Sequence, residues 1–205
     1  MDLAQRIHRP ITILALVGAL LGTAACTSSE KATVDSVPKA TADPGAYRVP
    51  RNICASIDFS PLAAVIGKTR KAPENTTLAG NDSGGGAECV QSLGPVVVSD
   101  EAFVGCWAYI DVSNTVEHFA YLRRNGARYT VDGVKDTPLV GQQAFQYSHK
   151  QDSPPWKTEL WLTVRDSNLG CELKARTQSP LRDDQTTEVY KALADIARTT
   201  LPRLR

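Results

Sequence analysis

Residues 157–177 read "KTELWLTVRDSNLGCELKART", and their pattern decides the fold. Leu160, Leu162 and Val164 alternate with other residues, and Cys171, Leu173 and Ala175 resume the alternation after a break. A period of two marks a strand with one buried face. The "DSNLG" between the runs carries the residue types that build hairpin turns. Strands over 157–166 and 171–177 are therefore expected to pair antiparallel. Trp161 opposes the Leu160, Leu162 and Val164 side, which places it on the outer face of the sheet.

C-terminal to this hairpin, "DDQTTEVYKALADIARTTL" spaces Val189, Leu193, Ile196 and Ala197 at helical intervals. Acids lead this segment and Pro202 follows it, as helix ends prefer. Upstream, "GQQAFQYSH" over 141–149 reads as a strand and "ARYTVDG" over 127–133 as a shorter one. "FVGCWAYIDV" over 103–112 is aromatic and β-branched, again a strand. The "SNTVEHFAYLRRNG" that follows fits a helix: Asn114 and Glu117 approximate a capping box, Val116, Phe119 and Ala120 form its apolar face, and Gly126 ends it. Residues 72–87, with glycines at 84, 85 and 86, read as a loop because consecutive glycines lose much entropy in regular structure. Before it, Ser60, Pro61 and Gly67 bracket a short helix presenting Leu62, Val65 and Ile66. Helix, strand, helix, several strands, helix is an α+β order: one domain with a mostly antiparallel sheet and helices packed on one side.

The N-terminus speaks to location. Arg6 and Arg9 precede "ITILALVGALLGTAA", uncharged from Ile11 to Ala25, and Cys26 follows. A basic start, an apolar middle and small residues before a cut form a secretory signal. Thr23-Ala24-Ala25-Cys26 resembles the bacterial lipobox, with Thr where Leu is preferred; the match implies a diacylglycerol on the Cys26 thiol. Two acyl chains hold a protein stably on a bilayer. Residues 1–25 are then the signal peptide. Residues 26–50 are the lipidated cysteine and a flexible tether, rich in Thr, Ser, Ala, Pro and Asp. Residues 51–205 form the globular domain, long enough for a substantial core. The expected location is the extracytoplasmic face of the cell membrane.

With Cys26 assigned to lipid, Cys54, Cys89, Cys106 and Cys171 remain. An even number in an exported domain implies two disulfides. Of the three possible pairings, Cys54–Cys89 with Cys106–Cys171 is preferred. It would tie the opening helix to the strand after the glycine loop and staple the central strand to the last.

Few residues suggest reactive chemistry. The 23 basic and 22 acidic residues balance, so no basic field draws nucleic acid. His118 and His149 show no zinc-ligand spacing and read as partly exposed structural residues. "GKT" at 67–69 lacks the earlier glycine of a phosphate loop, and Ser83 lacks the first glycine of a nucleophile elbow. Asp100-Glu101 and Asp183-Asp184 are adjacent and point apart. Asn75-Thr76-Thr77 matches a glycosylation sequon by chance. No cofactor or metal is expected. The remaining candidates are aromatic. Tyr147, Trp156 and Trp161 could form a binding patch, although a second small core is the preferred reading.

The lipobox, the Thr/Ser/Pro tether, "NIC" at Cys54 leading to a helix ended by Gly67, Cys89 after a glycine-rich stretch, the "GQQAFQY" strand, the hairpin and the C-terminal helix together resemble actinobacterial surface lipoproteins that share a domain of unknown function. The resemblance implies an extracytoplasmic α+β domain and assigns no catalytic residue. The expectation is a membrane-anchored lipoprotein with a non-enzymatic binding or accessory domain. A cell-envelope enzyme using Ser83 or an acidic pair is one alternative, marked by a deep pocket joining a histidine to an acid or serine. A sensor or assembly partner, marked by an exposed patch at Trp156 and Trp161, is the other.

Overall fold

The computed structural model describes residues 45–81, 84–95, 100–130, 132–137, 140–149 and 156–205. Cys26, Ser83 and residues 1–44 lie outside them. A 3-10 turn over Ile53–Ser56 leads into α1, Ser60–Val65. Then come β1, Glu74–Asn81; β2, Gly84–Leu93; and β3, Asp100–Tyr109. Helix α2, Val112–Tyr129, separates them from β4, Lys135–Asp136; β5, Gln143–His149; β6, Thr158–Asp166; and β7, Leu169–Thr177. Helix α3, Asp183–Thr200, runs into a 3-10 turn over Leu201–Leu204. The strands form one sheet in the order β1-β2-β3-β7-β6-β5-β4, with every neighbouring pair antiparallel. The α+β class, the antiparallel sheet and both disulfide pairings, Cys54–Cys89 and Cys106–Cys171, are as expected.

The hairpin at 157–177 forms as its alternation requires. Asp166 pairs with Leu169 across a two-residue turn, and Ser167 sits at φ 51°, in the left-handed region. Leu160, Leu162, Val164, Cys171, Leu173 and Ala175 all face one side and are buried. From β2 and β3, Ala87, Cys89, Leu93, Ala102, Val104 and Cys106 join that side. Val189, Leu193 and Ile196 of α3 and Leu62 of α1 close it as the main core.

One expectation about layering is corrected. The helices do not share one side, because α2 packs on the opposite face. Phe119 meets Phe145 edge-on at 5.0 Å, and a Cβ on Gly126 would lie 2.9 Å from the Tyr147 ring. The physical reason is the content of that face. Phe103, Trp107, Phe145, Tyr147 and Trp161 carry too much apolar area to be left in water, so the sheet is covered twice.

Four local readings also change. The "loop" at 72–87 contains β1 and the start of β2. Its glycines enter a strand because Gly86 lies under the Trp107 ring, where a Cβ would approach ring carbon to 2.6 Å. The "strand" at 127–133 begins as the last turn of α2, whose helical bonds run through Gly126. Asp111, rather than Asn114, is the α2 N-cap; its Oδ1 accepts from the Asn114 N–H at 2.8 Å. On α2 the buried positions are Thr115, Phe119 and Gly126, while Val116 is exposed.

The domain also begins before residue 51, so the end of the expected tether is corrected. Tyr47 is 1% exposed, its hydroxyl donates to Asp166 Oδ2 at 2.5 Å, and Arg48 N–H donates to the Leu204 carbonyl at 2.9 Å. A single aromatic in an otherwise polar segment found a core site, which composition averaged over 26–50 conceals. Asn168 holds it there. Its Oδ1 accepts from Tyr47 N–H at 3.0 Å, and its Nδ2 donates to the Tyr47 and Tyr109 carbonyls at 3.3 and 2.9 Å. Asn168 is fully buried, so Asn168→Ala leaves the Tyr47 N–H and the Tyr109 carbonyl without this partner, while Arg48 Nη1 still donates to the Tyr47 carbonyl. The expected loss is about 2–3 kcal/mol of unfolding free energy in urea melts, from unpaired buried polar groups.

Asn75 is a structural clamp. Its Oδ1 accepts from Ile53 N–H at 2.9 Å and its Nδ2 donates to the Arg51 carbonyl at 2.7 Å. Its amide is thereby committed to holding the Cys54 segment against β1.

Candidate functional site

The face under α2 is ordered in rows by the strand register. Gly86, Trp107 and Gly170 lie side by side on β2, β3 and β7. The next row is Glu88, Gly105 and Glu172, and the one after is Val90, Phe103 and Lys174. Alternation puts all nine on one side of the sheet. The three glycines keep the surface low, so large side chains lie flat: a Cβ on Gly105 would fall 2.8 Å from the Phe103 ring.

Between these rows and α2 lies an open-mouthed cavity of about 410 Å³. Phe103, Trp107, Tyr109, Leu78 and Leu122 give it a mainly apolar lining, to which Asn81, Glu88, His118 and Glu172 add polar groups. The volume falls in the range of small-molecule sites, roughly 300–1,000 Å³. Neither glutamate makes a hydrogen bond or ion pair among the described residues. Burial pushes the Glu172 carboxyl above its ordinary range; Lys174 opposes this and Glu88 adds to it. Burial likewise raises Tyr109, with a smaller contribution from the charge of Glu172. The His118 ring lies 5.5 Å from that of Tyr109, and partial desolvation lowers its pKa.

Beside the cavity runs a buried ion-pair chain. Glu159, 2% exposed, accepts from Arg176 Nε at 3.0 Å and pairs with Lys174 Nζ at 3.4 Å. Arg176 also reaches Glu101 at 3.9 Å. The Lys174 ammonium sits 3.7 Å from the Trp161 ring centroid and 4.9 Å from that of Phe103. Burial lowers the Lys174 pKa, the neighbouring Arg176 lowers it further, and Glu159 counters both.

The aromatic candidates therefore occupy a packed layer. Tyr147 and Trp161 stack at 5.7 Å with 10° between their planes, Trp161 beneath Lys174 and Tyr147 beneath Gly126. Trp156 lies apart from them, 5.8 Å from the Arg176 guanidinium. All three are half-buried rather than fully exposed. His149 packs against Tyr129 at 5.9 Å and does not line the cavity. Cys54, Cys89, Cys106 and Cys171 are joined in their two disulfides, the second linking directly opposed residues with Cα atoms 4.1 Å apart.

Sequence reasoning passed over Glu88, Glu172, Gly105 and Trp107 as a group. A signal was present: Gly86-x-Glu88 and Gly170-x-Glu172 repeat one spacing, and Gly105-Cys106-Trp107 supplies the strand between them. Comparison of the chain with protein-family models, with curated proteins and with solved structures finds no match to any of them.

Proposed function

We propose that this chain is an extracytoplasmic lipoprotein, held on the membrane by a diacylglycerol on Cys26, whose domain binds a small molecule without transforming it. The observation that carries the binding reading is the cavity between α2 and the β2–β3–β7 flank. It is largely apolar, with a few convergent polar groups, which is the usual makeup of ligand sites. The signal and lipobox pattern supports the anchor, and the resemblance to actinobacterial lipoproteins agrees with it.

The probe N-phenyl-1-naphthylamine tests the site. Titrated into the full chain in a non-ionic detergent, it is expected to shift the Trp107 indole N–H resonance saturably. Leu122→Trp, which fills the cavity from α2, abolishes that shift. A Trp107 resonance that does not move overturns the binding reading. Palmitate labelling of the wild type, absent in Cys26→Ala, tests the anchor separately.

A cell-envelope enzyme is the second reading. What favours it is that His118, Glu88 and Glu172 line one cavity. Against it, His118 makes no hydrogen bond or ion pair among the described residues, so no acid holds its ring as a base requires. The sensor or assembly alternative rested on an exposed tryptophan patch, and Trp156 and Trp161 are half-buried under cationic side chains.

A further inference from the structure

We propose that the ligand of this cavity is an amphipathic organic cation, its charged end seated over Gly105 between Glu88 and Glu172 and its apolar body against Trp107, Tyr109 and Leu122. This rests on the reading of the cavity as a binding site and names its ligand class.

Charge bookkeeping across the α2-covered face is the first support. Glu88, Glu101, Glu159 and Glu172 share that face with Arg165, Lys174 and Arg176. All three are engaged: Lys174 with Glu159, Arg176 with Glu159 and Glu101, and Arg165, whose Nε donates to Gln143 Oε1 at 3.0 Å. Glu88 and Glu172 are left with no ion pair among the described residues. No lysine or arginine is among the described residues lining the cavity. Lys174 acts on Glu172 only through its field, and a carboxylate desolvated as far as Glu172 is expensive to keep without a directly paired counter-charge. A cationic ligand supplies one.

Geometry is the second support. Glu88 and Glu172 lie on either side of β3, so their Cα atoms are about two strand spacings, roughly 10 Å, apart. The residue between them has no side chain, and the Phe103 ring lies in the space one would take, so a cation between the two carboxylates meets an aromatic wall. Against Gly105 lies the Phe103 ring, and Trp107 and Tyr109 continue the wall. Aromatic faces attract cations through their ring quadrupoles, more strongly where water is partly excluded. The same face already uses this chemistry once, in Lys174 against Trp161 and Phe103. An inorganic cation would leave the apolar wall unused; a neutral apolar molecule would leave both carboxylates without an ion-pair partner.

Three probes of nearly one shape decide the matter: benzyltrimethylammonium, its carbon isostere neopentylbenzene, and the anion phenylacetate. Each is titrated into the full chain in non-ionic detergent and followed at the Trp107 indole N–H. The cation is expected to bind at least about tenfold more tightly than the isostere, with phenylacetate weakest. The double variant E88Q/E172Q is expected to bring the cation down to the level of the isostere. Equal affinity of cation and isostere, preference for the anion, or an unchanged cation affinity in the double variant overturns the cation assignment and leaves the cavity a binding site. If neither these probes nor N-phenyl-1-naphthylamine moves Trp107, both readings fall. Should the double variant not fold, the order of the three probes decides alone.

Discussion

Glu159→Ala is expected to lower the unfolding free energy by about 3–5 kcal/mol, the range for breaking a buried ion pair from one side. Glu159 is 2% exposed and serves two cations, Lys174 at 3.4 Å and Arg176 at 3.0 Å. Lys174 is itself 8% exposed and enclosed by the Trp161 and Phe103 rings. Without Glu159 its ammonium remains desolvated, with its closest counter-charge gone. Glu159→Gln keeps an acceptor for Arg176 and is expected to lose less. The double variant Glu159→Leu with Lys174→Met is expected to recover most of the loss, because it removes both charges while keeping their volume. Urea unfolding of the single and double variants measures the coupling directly.

The sign of the pH effect follows from Lys174. Burial sets its folded pKa below its unfolded value, and removal of Glu159 lowers it further. Between the two values the unfolded chain binds more protons, so stability rises with pH. The Glu159→Ala deficit is therefore expected to shrink in alkaline solution as Lys174 gives up its proton. A deficit that stays constant or grows would show that the loss does not come from the ion pair with Lys174, since the Arg176 charge does not titrate in this range.

Replacing Cys106 and Cys171 together by alanine is expected to remove about 4 kcal/mol, from the chain entropy of the closed loop. The two residues are 65 apart in sequence, and the loop they close contains α2, β4, β5 and β6. The Cys54–Cys89 loop spans 35, so its loss is expected to be slightly smaller. Releasing the larger loop expands the denatured state, which raises the urea dependence as well as lowering the midpoint. Both cysteines of the cross-strand pair are nearly inaccessible, at 2% and 3% exposure. In the folded protein they are therefore expected to resist alkylation after mild reductant and to react only in denaturant.

The main core was legible because it follows simple periods. Leu160, Leu162 and Val164 on β6 and Val189, Leu193 and Ile196 on α3 announce their buried sides without tertiary context. The cysteine pairing was legible because the strands joining Cys106 to Cys171 could be placed. The second face was not. Its residues alternate too, but as Glu, Trp, Lys, Tyr and Gly, types that read as solvated one at a time. Only register reveals that Lys174 has two glutamates within reach of its row, or that Gly105 separates Glu88 from Glu172. The glycines misled for a related reason. In isolation Gly84–Gly86 disfavour regular structure, yet the Trp107 ring fills the space that side chains at 84 and 86 would need. Tyr47 was obscured by its neighbours, since a polar tether can end in one aromatic that belongs to the core.

The most direct measurement is a set of intermolecular NOEs between benzyltrimethylammonium and the full-length protein. The trimethylammonium protons are expected to contact the Phe103 ring, the Gly105 α-protons and the γ-protons of Glu88 and Glu172, while the phenyl protons contact Trp107 and Leu122. Contacts that place the ammonium away from Glu88 and Glu172, or that fall on another surface of the protein, would contradict the account.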